Sequence, residues 1–295
     1  MTAVLEAQSG GSVRGQVGQV TSLYEGAYHT VHYLDFGPPD AERVVVCLHS
    51  MFQCNAEFDG LAQVLAARGF RVVCPDFAGH GRSGWRRNAD DYGYPLFSTD
   101  VMAVIARTGA ARVDVVGSSM GGFISMKMAH DGAPFRTLIL NDVGAYSPRS
   151  GPLRVLQNLP PKREYPDLTA IELALRRLLS ASGPISRADW LHFVQRNIAR
   201  HGSGFRLLYD PRIRRQLLAM TARDYDLWDK WARVCCPALV IRGEYSDMLD
   251  AEVAQRMTER PATELLTVAG CGHRPWLWTA DQAAPVVDWL ERQLV

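Results

Sequence analysis

One short segment places a serine between two glycines at a spacing suited to nucleophilic catalysis. Residues 117–121 have the sequence G-S-S-M-G, which fits the pattern G-x-S-x-G, and they lie between an apolar run and a segment with helical periodicity. A serine on such a strand-to-helix turn is held in a strained backbone with its hydroxyl accessible, and the helix N-terminus favours developing negative charge. The pattern predicts Ser119 as a nucleophile.

A serine hydroxyl is a weak nucleophile near neutral pH, so it requires a histidine base and a group that orients that base. His273, in the segment VAGCGHRPWL, follows the last predicted strand, where its ring can reach the C-terminal edge of a sheet. His80, in DFAGHGRSG, is the competing histidine, but its early glycine-rich turn favours a role in loop structure. We therefore predict His273 as the general base.

Two aspartates could orient this histidine. Asp247, in VIRGEYSDML, follows a predicted strand and gives the chain order serine, aspartate, histidine that is expected when the nucleophile lies on such a turn. Asp142, in LILNDVG, also ends a predicted strand and could approach the same imidazole from a neighbouring loop. The chain order favours Asp247 as the acid, with Asp142 as the alternative.

The tetrahedral intermediate of acyl transfer requires hydrogen-bond donors that are fixed in advance around its oxyanion. One amide commonly follows the nucleophile, and the other comes from a loop after an earlier strand. These positions predict the backbone N–H groups of Met120 and Met51, the latter in the turn His49-Ser50-Met51-Phe52. Loss of one such donor typically costs about 3 kcal/mol of transition-state stabilisation.

The elements that must position these residues alternate between buried strands and helices. This alternation predicts an α/β fold with a mainly parallel sheet, because parallel strands are connected by helices that cover both faces. The predicted strands are 29–35, 43–49, 71–76, 112–118, 136–142, 237–244 and 263–268. The predicted helices between or after them are 56–68, 96–107, 120–130, 251–258 and 282–294.

The alternation stops between residues 146 and 232. There the strand signals end and helical patterns follow at 168–179, 187–200 and 211–220, while five prolines between 148 and 166 predict a loop at the entry. We predict residues 146–232 as a helical cap inserted into a core formed by 19–145 and 233–295. Residues 1–18 are predicted to form a flexible leader.

Composition excludes some partner classes. The 295 residues carry 32 basic and 31 acidic side chains, a formal net charge of +1, which supplies no global field for nucleic acid or an anionic membrane. No apolar stretch approaches the roughly 20 residues that cross a bilayer, and the N-terminus has no apolar signal region. The six cysteines match no zinc pattern and are predicted to be reduced thiols in a cytoplasmic protein.

Five segments together resemble the successive signature loops of the α/β-hydrolase superfamily: LHSMFQ, PDFAGHGRSG, VGSSMGG, RGEYSDML and GCGHRPWL. The resemblance spans nearly the whole chain. It implies a mainly parallel eight-strand sheet flanked by helices, with a helical cap, esterase-like activity and no dissociable cofactor. It also assigns the nucleophile to Ser119, the acid to Asp247 and the base to His273.

The chain departs from the family pattern at one turn, which usually begins His-Gly and here begins His49-Ser50. Serine adopts positive φ at a greater cost than glycine does, so the departure bears on the donor at Met51. Haloalkane dehalogenases and epoxide hydrolases share the fold but carry aspartate as the nucleophile. Ser119 therefore argues against both activities.

The main functional hypothesis is a hydrolase that cleaves a carboxylic ester of a small molecule through an acyl-enzyme. Thioesters, lactones and compounds with a cleavable carbon–carbon bond are alternative substrates for the same residues. Acyltransfer and perhydrolysis are alternative reactions. A small-molecule receptor that keeps the triad but turns over slowly is the alternative from another class. No nucleic-acid or membrane partner is predicted.

Two features of the predicted cap bear on the substrate. Residues 146–232 contain 15 Lys and Arg but 8 Asp and Glu, a charge of +7 that favours solvated helix faces as its explanation. The alternative is that a basic cap over the pocket attracts acidic esters or acyl compounds, including hydroxyacid oligomers. Most aromatic residues at helical spacing are expected in the core. Those of the segment that could line an apolar acyl pocket are Trp190, Phe193, Phe205, Tyr209, Trp228 and Trp231, and Trp276 and Trp278 lie just beyond His273.

Overall fold

The computed structural model describes residues 15–160 and 164–293. Its main feature is an eight-stranded sheet in the order β1-β2-β4-β3-β5-β6-β12-β13. These strands are β1 Gln16–Tyr24, β2 Ala27–Phe36, β3 Val44–Leu48, β4 Arg71–Pro75, β5 Val113–Ser118, β6 Phe135–Asn141, β12 Ala238–Gly243 and β13 Thr263–Val268. The pairs from β4 to β13 are parallel, whereas β1 and β2 add an antiparallel edge, so the predicted α/β fold with eight strands is confirmed.

The first strand corrects the predicted leader, since β1 begins at Gln16 rather than after residue 18. It pairs with β2 through a two-residue turn in which Glu25 and Gly26 both have positive φ. This is the turn geometry that two-residue hairpins favour. The rest of the predicted leader, residues 1–14, lies outside the described residues.

Helices cover both faces of the sheet. Successive residues of β3 belong to different core clusters: Val44, Val46 and Leu48 pack on one face, and Val45 and Cys47 on the other. This explains the continuous apolar runs in the sequence. The flanking helices are α1 Asp59–Ala67, α2 Tyr94–Thr108, α3 Met120–His130, α9 Ala251–Met257 and α10 Ala280–Arg292. Among the described residues, no helix combines the length and apolarity needed to cross a bilayer.

Residues 146–232, which we call the inserted segment, lie between β6 and β12, two neighbours in the main sheet. The segment contains helices but also short strands, which the sequence analysis did not predict. Its helices are α4 Ser150–Asn158, α5 Leu168–Leu178, α6 Arg187–Arg196, α7 Arg214–Met220 and α8 Trp228–Trp231. Its strands are β7 Tyr146–Ser147, β8 Glu164–Tyr165, β9 Ile198–His201, β10 Gly204–Leu207 and β11 Tyr225–Asp226.

The entry to the inserted segment also differs from its prediction. The prolines predicted a loop, yet α4 begins at Ser150 and includes Pro152 in its first turn. Proline is tolerated there because the first N–H groups of a helix have no acceptor within it. A helix therefore begins soon after β7, and its residues Pro152, Arg154 and Val155 line the same cavity as Ser119.

Candidate active site

The structure brings Ser119 and His273 together, with Asp142 behind the histidine. His273 Nε2 lies 3.1 Å from Ser119 Oγ, and His273 Nδ1 lies 2.6 Å from Asp142 Oδ2. A carboxylate only accepts hydrogen bonds, so Nδ1–H donates to Asp142 and Nε2 is left to accept from the serine hydroxyl. The Asp142 side chain is fully buried and that of His273 is 9% exposed.

The sheet accounts for the approach of Asp142 to Ser119. Neighbouring strands β5 and β6 end with Ser118 paired to Asn141, so Ser119 and Asp142 each follow directly after this pair. Asp142 has φ 58°, and its backbone N–H still bonds to Ile241 in the next strand. The two residues thus leave adjacent strands at the same edge.

Asp247 does not contact His273, which contradicts the prediction that it orients the base. After β12 the chain turns at Ser246, whose hydroxyl donates to Asp142 Oδ2 at 2.6 Å, while Gly243 N–H donates to Asp142 Oδ1 at 2.9 Å. Asp247 lies beyond this turn, is 45% exposed, and forms an ion pair with Arg154 of α4. The loop after β12 therefore supports the carboxylate of Asp142 instead of supplying its own.

Ser119 has φ 48°, the strained conformation expected of a serine on a strand-to-helix turn. Its backbone N–H donates to Asn141 in β6, which fixes the turn to the sheet. The flanking glycines are required by space: a β-carbon at Gly117 would collide with the backbone of α3, and one at Gly121 with the carbonyl oxygen of Leu48. The close packing of this helix against β3 and β5 therefore depends on both glycines.

The two amides predicted to stabilise an oxyanion remain available. Met51 and Met120 line the same cavity as Ser119, and neither N–H donates to an acceptor among the described residues. Ser50 is not in the positive φ region; Phe52 is, at φ 65°. Serine in place of glycine at the start of this turn therefore introduces no φ strain.

Glu57 and Arg274 hold this turn, and the sequence analysis missed both. Glu57 accepts hydrogen bonds from Ser50 N–H at 2.8 Å and from Ser50 Oγ at 2.9 Å, and it pairs with Arg274 Nη1 at 2.8 Å. Both charged side chains are 4% exposed. This network connects the loop that carries His273 to the turn that carries Met51. Its signal in the sequence is the position of Arg274, directly after His273.

His49 fixes the other side of the same turn. Phe77 N–H donates to His49 Nε2 at 3.0 Å, so the ring carries its proton on Nδ1 and donates to the Ser50 carbonyl. Burial lowers the pKa of His49 to about 4 and holds that of neighbouring His80 well below its ordinary value. Both rings are therefore neutral at pH 7.

Ser119 and His273 open into a cavity of about 60 Å³, to which the inserted segment contributes Arg154, Leu178 and Met220. A second cavity of about 530 Å³ lies beside it, and the two share Met51, Met120, Phe123 and Met220 as lining residues. None of the eight aromatic residues considered as candidates for substrate contact lines either cavity. Trp190, Phe193, Trp276 and Trp278 instead pack against one another.

The described residues contain no group of three or more His, Cys, Asp or Glu side chains arranged to hold a metal ion. All six cysteines are free thiols, four of them buried: Cys47, Cys54, Cys74 and Cys271. Burial raises the pKa of Cys271, the cysteine nearest in sequence to His273.

Comparisons with known proteins identify the family of the chain. The model of the alpha/beta hydrolase family matches residues 45–289. A 3-hydroxybutyrate-oligomer hydrolase of Cupriavidus necator is 31% identical, over 90% of this chain and 94% of its own length.

Solved structures show the same fold. An alpha/beta hydrolase from Novosphingobium aromaticivorans is similar at a TM-score of 0.83 and 26% identity, over 96% of this chain and all of that one. A putative hydrolase from Rickettsia typhi reaches a TM-score of 0.86 at 23% identity, over 94% and 99% of the two chains. The matched family model and the C. necator relative both cover most of the sequence, so the chain belongs to the alpha/beta hydrolase family.

Proposed function

We propose that this protein is a serine hydrolase that cleaves carboxylic esters of small molecules through an acyl-enzyme intermediate. The observation that carries the proposal is the continuous contact from Ser119 through His273 to the buried carboxylate of Asp142, at the wall of a cavity. Nucleophile, base and orienting acid within hydrogen-bond reach are what acyl transfer to a serine requires.

In the proposed reaction, Ser119 Oγ attacks the ester carbonyl while His273 Nε2 takes the hydroxyl proton. Asp142 stays ionised, holds Nδ1–H, and stabilises the imidazolium that forms. The imidazolium then gives its proton to the departing alcohol, which leaves the acyl group on Ser119. Water enters, His273 removes its proton, and the acid is released as the serine is restored.

The negative charge on the tetrahedral intermediate falls to the N–H groups of Met120 and Met51. Their free amides and their place in the cavity wall support this assignment. Glu57 bonds to Ser50 and His49 to the Ser50 carbonyl, so the turn that carries Met51 is anchored on two sides. Donors fixed before the reaction do not have to reorganise as the charge develops.

For the substrate class we propose esters of hydroxyacids, including linear oligomers. The name of the C. necator relative concerns 3-hydroxybutyrate oligomers, and that relative aligns with nearly the whole chain. The first cavity accommodates only the reacting group, but the second cavity of about 530 Å³ offers room for further monomers. We propose that the inserted segment acts as the cap that closes over this substrate.

Burst kinetics with p-nitrophenyl butyrate, followed by intact-mass measurement, test the chemistry. A rapid burst, continued turnover and an acyl adduct on Ser119 are expected from the wild type, and neither burst nor adduct from Ser119→Ala. Ser98→Ala is the control, because the hydroxyl of Ser98 lies in α2 and donates to the carbonyl of Pro95, away from the catalytic cavity. A Ser119→Ala variant that keeps substantial turnover would remove the proposed nucleophile, and a single burst without turnover would favour a receptor.

A further inference from the structure

Arg154 lies in α4 and lines the same cavity as Ser119 and His273. Its side chain is 23% exposed, but its Nε and Nη2 atoms are buried and make no hydrogen bond to any described residue. The Nε atom contacts Asp247 as an ion pair without hydrogen-bond geometry. A buried guanidinium nitrogen without an acceptor is costly, so its retention beside a nucleophile points to a ligand that supplies the acceptor.

The other charged residues near this cavity do not supply a hydrogen-bond acceptor for the guanidinium of Arg154. Arg274, the second arginine in the wall, is already paired with buried Glu57. The described residues that line the cavity include neither aspartate nor glutamate. Asp247 forms an ion pair with Arg154, but Asp247 is half-exposed, so water screens the attraction between the two charges. The cavity wall thus presents the Arg154 guanidinium with an unused Nη2 donor, and no carboxylate is among the described residues that line the cavity.

The position of Arg154 is fixed by contacts at the start of α4. Arg149 N–H donates to Asp224 Oδ1 at 2.8 Å, and the hydroxyl of Tyr146 donates to Asp224 Oδ2 at 2.7 Å. A β-carbon at Gly151 would collide with the sulfur of Met248, so the helix packs closely on the loop after β12. The guanidinium is therefore presented by an anchored helix.

We propose that Arg154 binds a carboxylate of the substrate, so that the site selects esters that carry a free acid group. This inference rests on the proposed ester hydrolysis and assigns its specificity. A hydroxyacid oligomer has such a group at its acid end, in the alcohol portion of the terminal ester. A half-ester of a dicarboxylic acid carries it in the acyl portion. Arginine suits this role because its donors match the geometry of a carboxylate.

The test compares charged esters with their neutral methyl esters. The 3-hydroxybutyrate dimer probes a carboxylate in the alcohol portion, and p-nitrophenyl succinate probes one in the acyl portion, with the methyl ester of each as its control. We expect the wild type to prefer at least one charged ester, and Arg154→Gln to raise KM for that ester about 10- to 100-fold, the usual strength of charge-assisted hydrogen bonds. KM for the methyl ester changes little, and Arg154→Lys recovers part of the preference.

Arg177→Gln is the matched control, because Arg177 is a segment arginine that bonds to Asn158 at the surface. It should behave as the wild type with all four esters. Equal loss on charged and neutral esters in Arg154→Gln, or no preference in the wild type, would overturn the role of Arg154. Turnover of the neutral esters that depends on Ser119 would then show that the proposed hydrolysis still stands. Absence of any Ser119-dependent turnover would instead overturn the proposed function itself.

Discussion

The hydroxyl of Ser246 donates to Oδ2 of Asp142, the same oxygen that receives His273 Nδ1–H. The loop after β12 therefore contributes a hydroxyl to the carboxylate, whereas its own aspartate points away from His273 and pairs with Arg154. The two aspartates occupy opposite situations: Asp142 is enclosed and fully hydrogen-bonded, and Asp247 is half-exposed.

Exchange of the two aspartates for asparagine separates their roles. Asp142→Asn should lower kcat for p-nitrophenyl butyrate about 10³- to 10⁴-fold, because the histidine loses both its orientation and its charge stabilisation. Asp247→Asn should change it less than about threefold, as expected for an exposed group outside the triad. Steady-state kinetics on both variants, with circular dichroism to verify folding, decide the matter. The opposite ranking would return the acid to the loop after β12.

The buried pair of Glu57 and Arg274 should govern stability as well as geometry. Glu57→Gln leaves the guanidinium of Arg274 without a counter-charge, and loss of one partner of a buried pair costs about 3 to 5 kcal/mol in the free energy of unfolding. Urea denaturation measures this loss. Glu291→Gln is the control, because its ion pair with Arg68 is partly exposed and should contribute less than about 1 kcal/mol. Equal losses in the free energy of unfolding in the two variants would show that the buried ion pair contributes no more to stability than the exposed one.

The close approach of α3 to β3 should make Gly121 intolerant of any side chain. Gly121→Ala places a methyl group against the carbonyl oxygen of Leu48, so we expect overpacking of about 1 to 3 kcal/mol and displacement of the Met120 amide. The melting temperature Tm and kcat should both be lower than in the wild type. Gly93→Ala is the comparison, because the nearest atoms to a β-carbon there are 3.9 Å away and its φ is extended. A fully active, stable Gly121→Ala variant would refute the packing argument.

Neutral His49 should make the protein less stable in acid. Its pKa is lowered to about 4 in the folded protein and is near 6.5 when unfolded, so the unfolded state binds more protons between these values. Stability therefore rises with pH through this window, by up to about 3 kcal/mol for this one ring. His80 acts in the same direction.

His49→Gln tests this linkage. Urea unfolding from pH 4.5 to 7.5 gives the free energy of unfolding as a function of pH. Its slope should be smaller in the variant than in the wild type by up to about 1.4 kcal/mol per pH unit, the value for one bound proton. The variant loses stability overall as well, because the link between the Ser50 carbonyl and Phe77 is altered. An unchanged slope would mean that His49 does not titrate differently in the two states.

Sequence patterns predicted the centre of the sheet well because β3, β5 and β6 are buried on both faces and are rich in apolar residues. Strand β1 escaped this signal, since it is an edge strand whose residues are mostly exposed. Helix α4 was missed because proline was weighed without its position in the first turn.

Asp247 was predicted as the contact of His273, but chain order does not distinguish the two aspartates, because both Asp142 and Asp247 lie between the serine and the histidine. What separates them is the pairing of Ser118 with Asn141 and the turn at Ser246, and both are tertiary facts. The same limit applies to Glu57 and Arg274, whose contact joins residues 217 positions apart in the chain.

Because Ser118 pairs with Asn141, the register of β5 and β6 sets the distance between the proposed nucleophile Ser119 and the proposed acid Asp142. The loop after β12 is thereby released from supplying an ionisable group to the reaction, and Asp247 is free to change. In the proposed mechanism, replacement of Asp247 could therefore alter which acids or alcohols are accepted while the chemical step stays intact, provided that the Ser246 hydroxyl and the buried residues Met248 and Leu249 are kept.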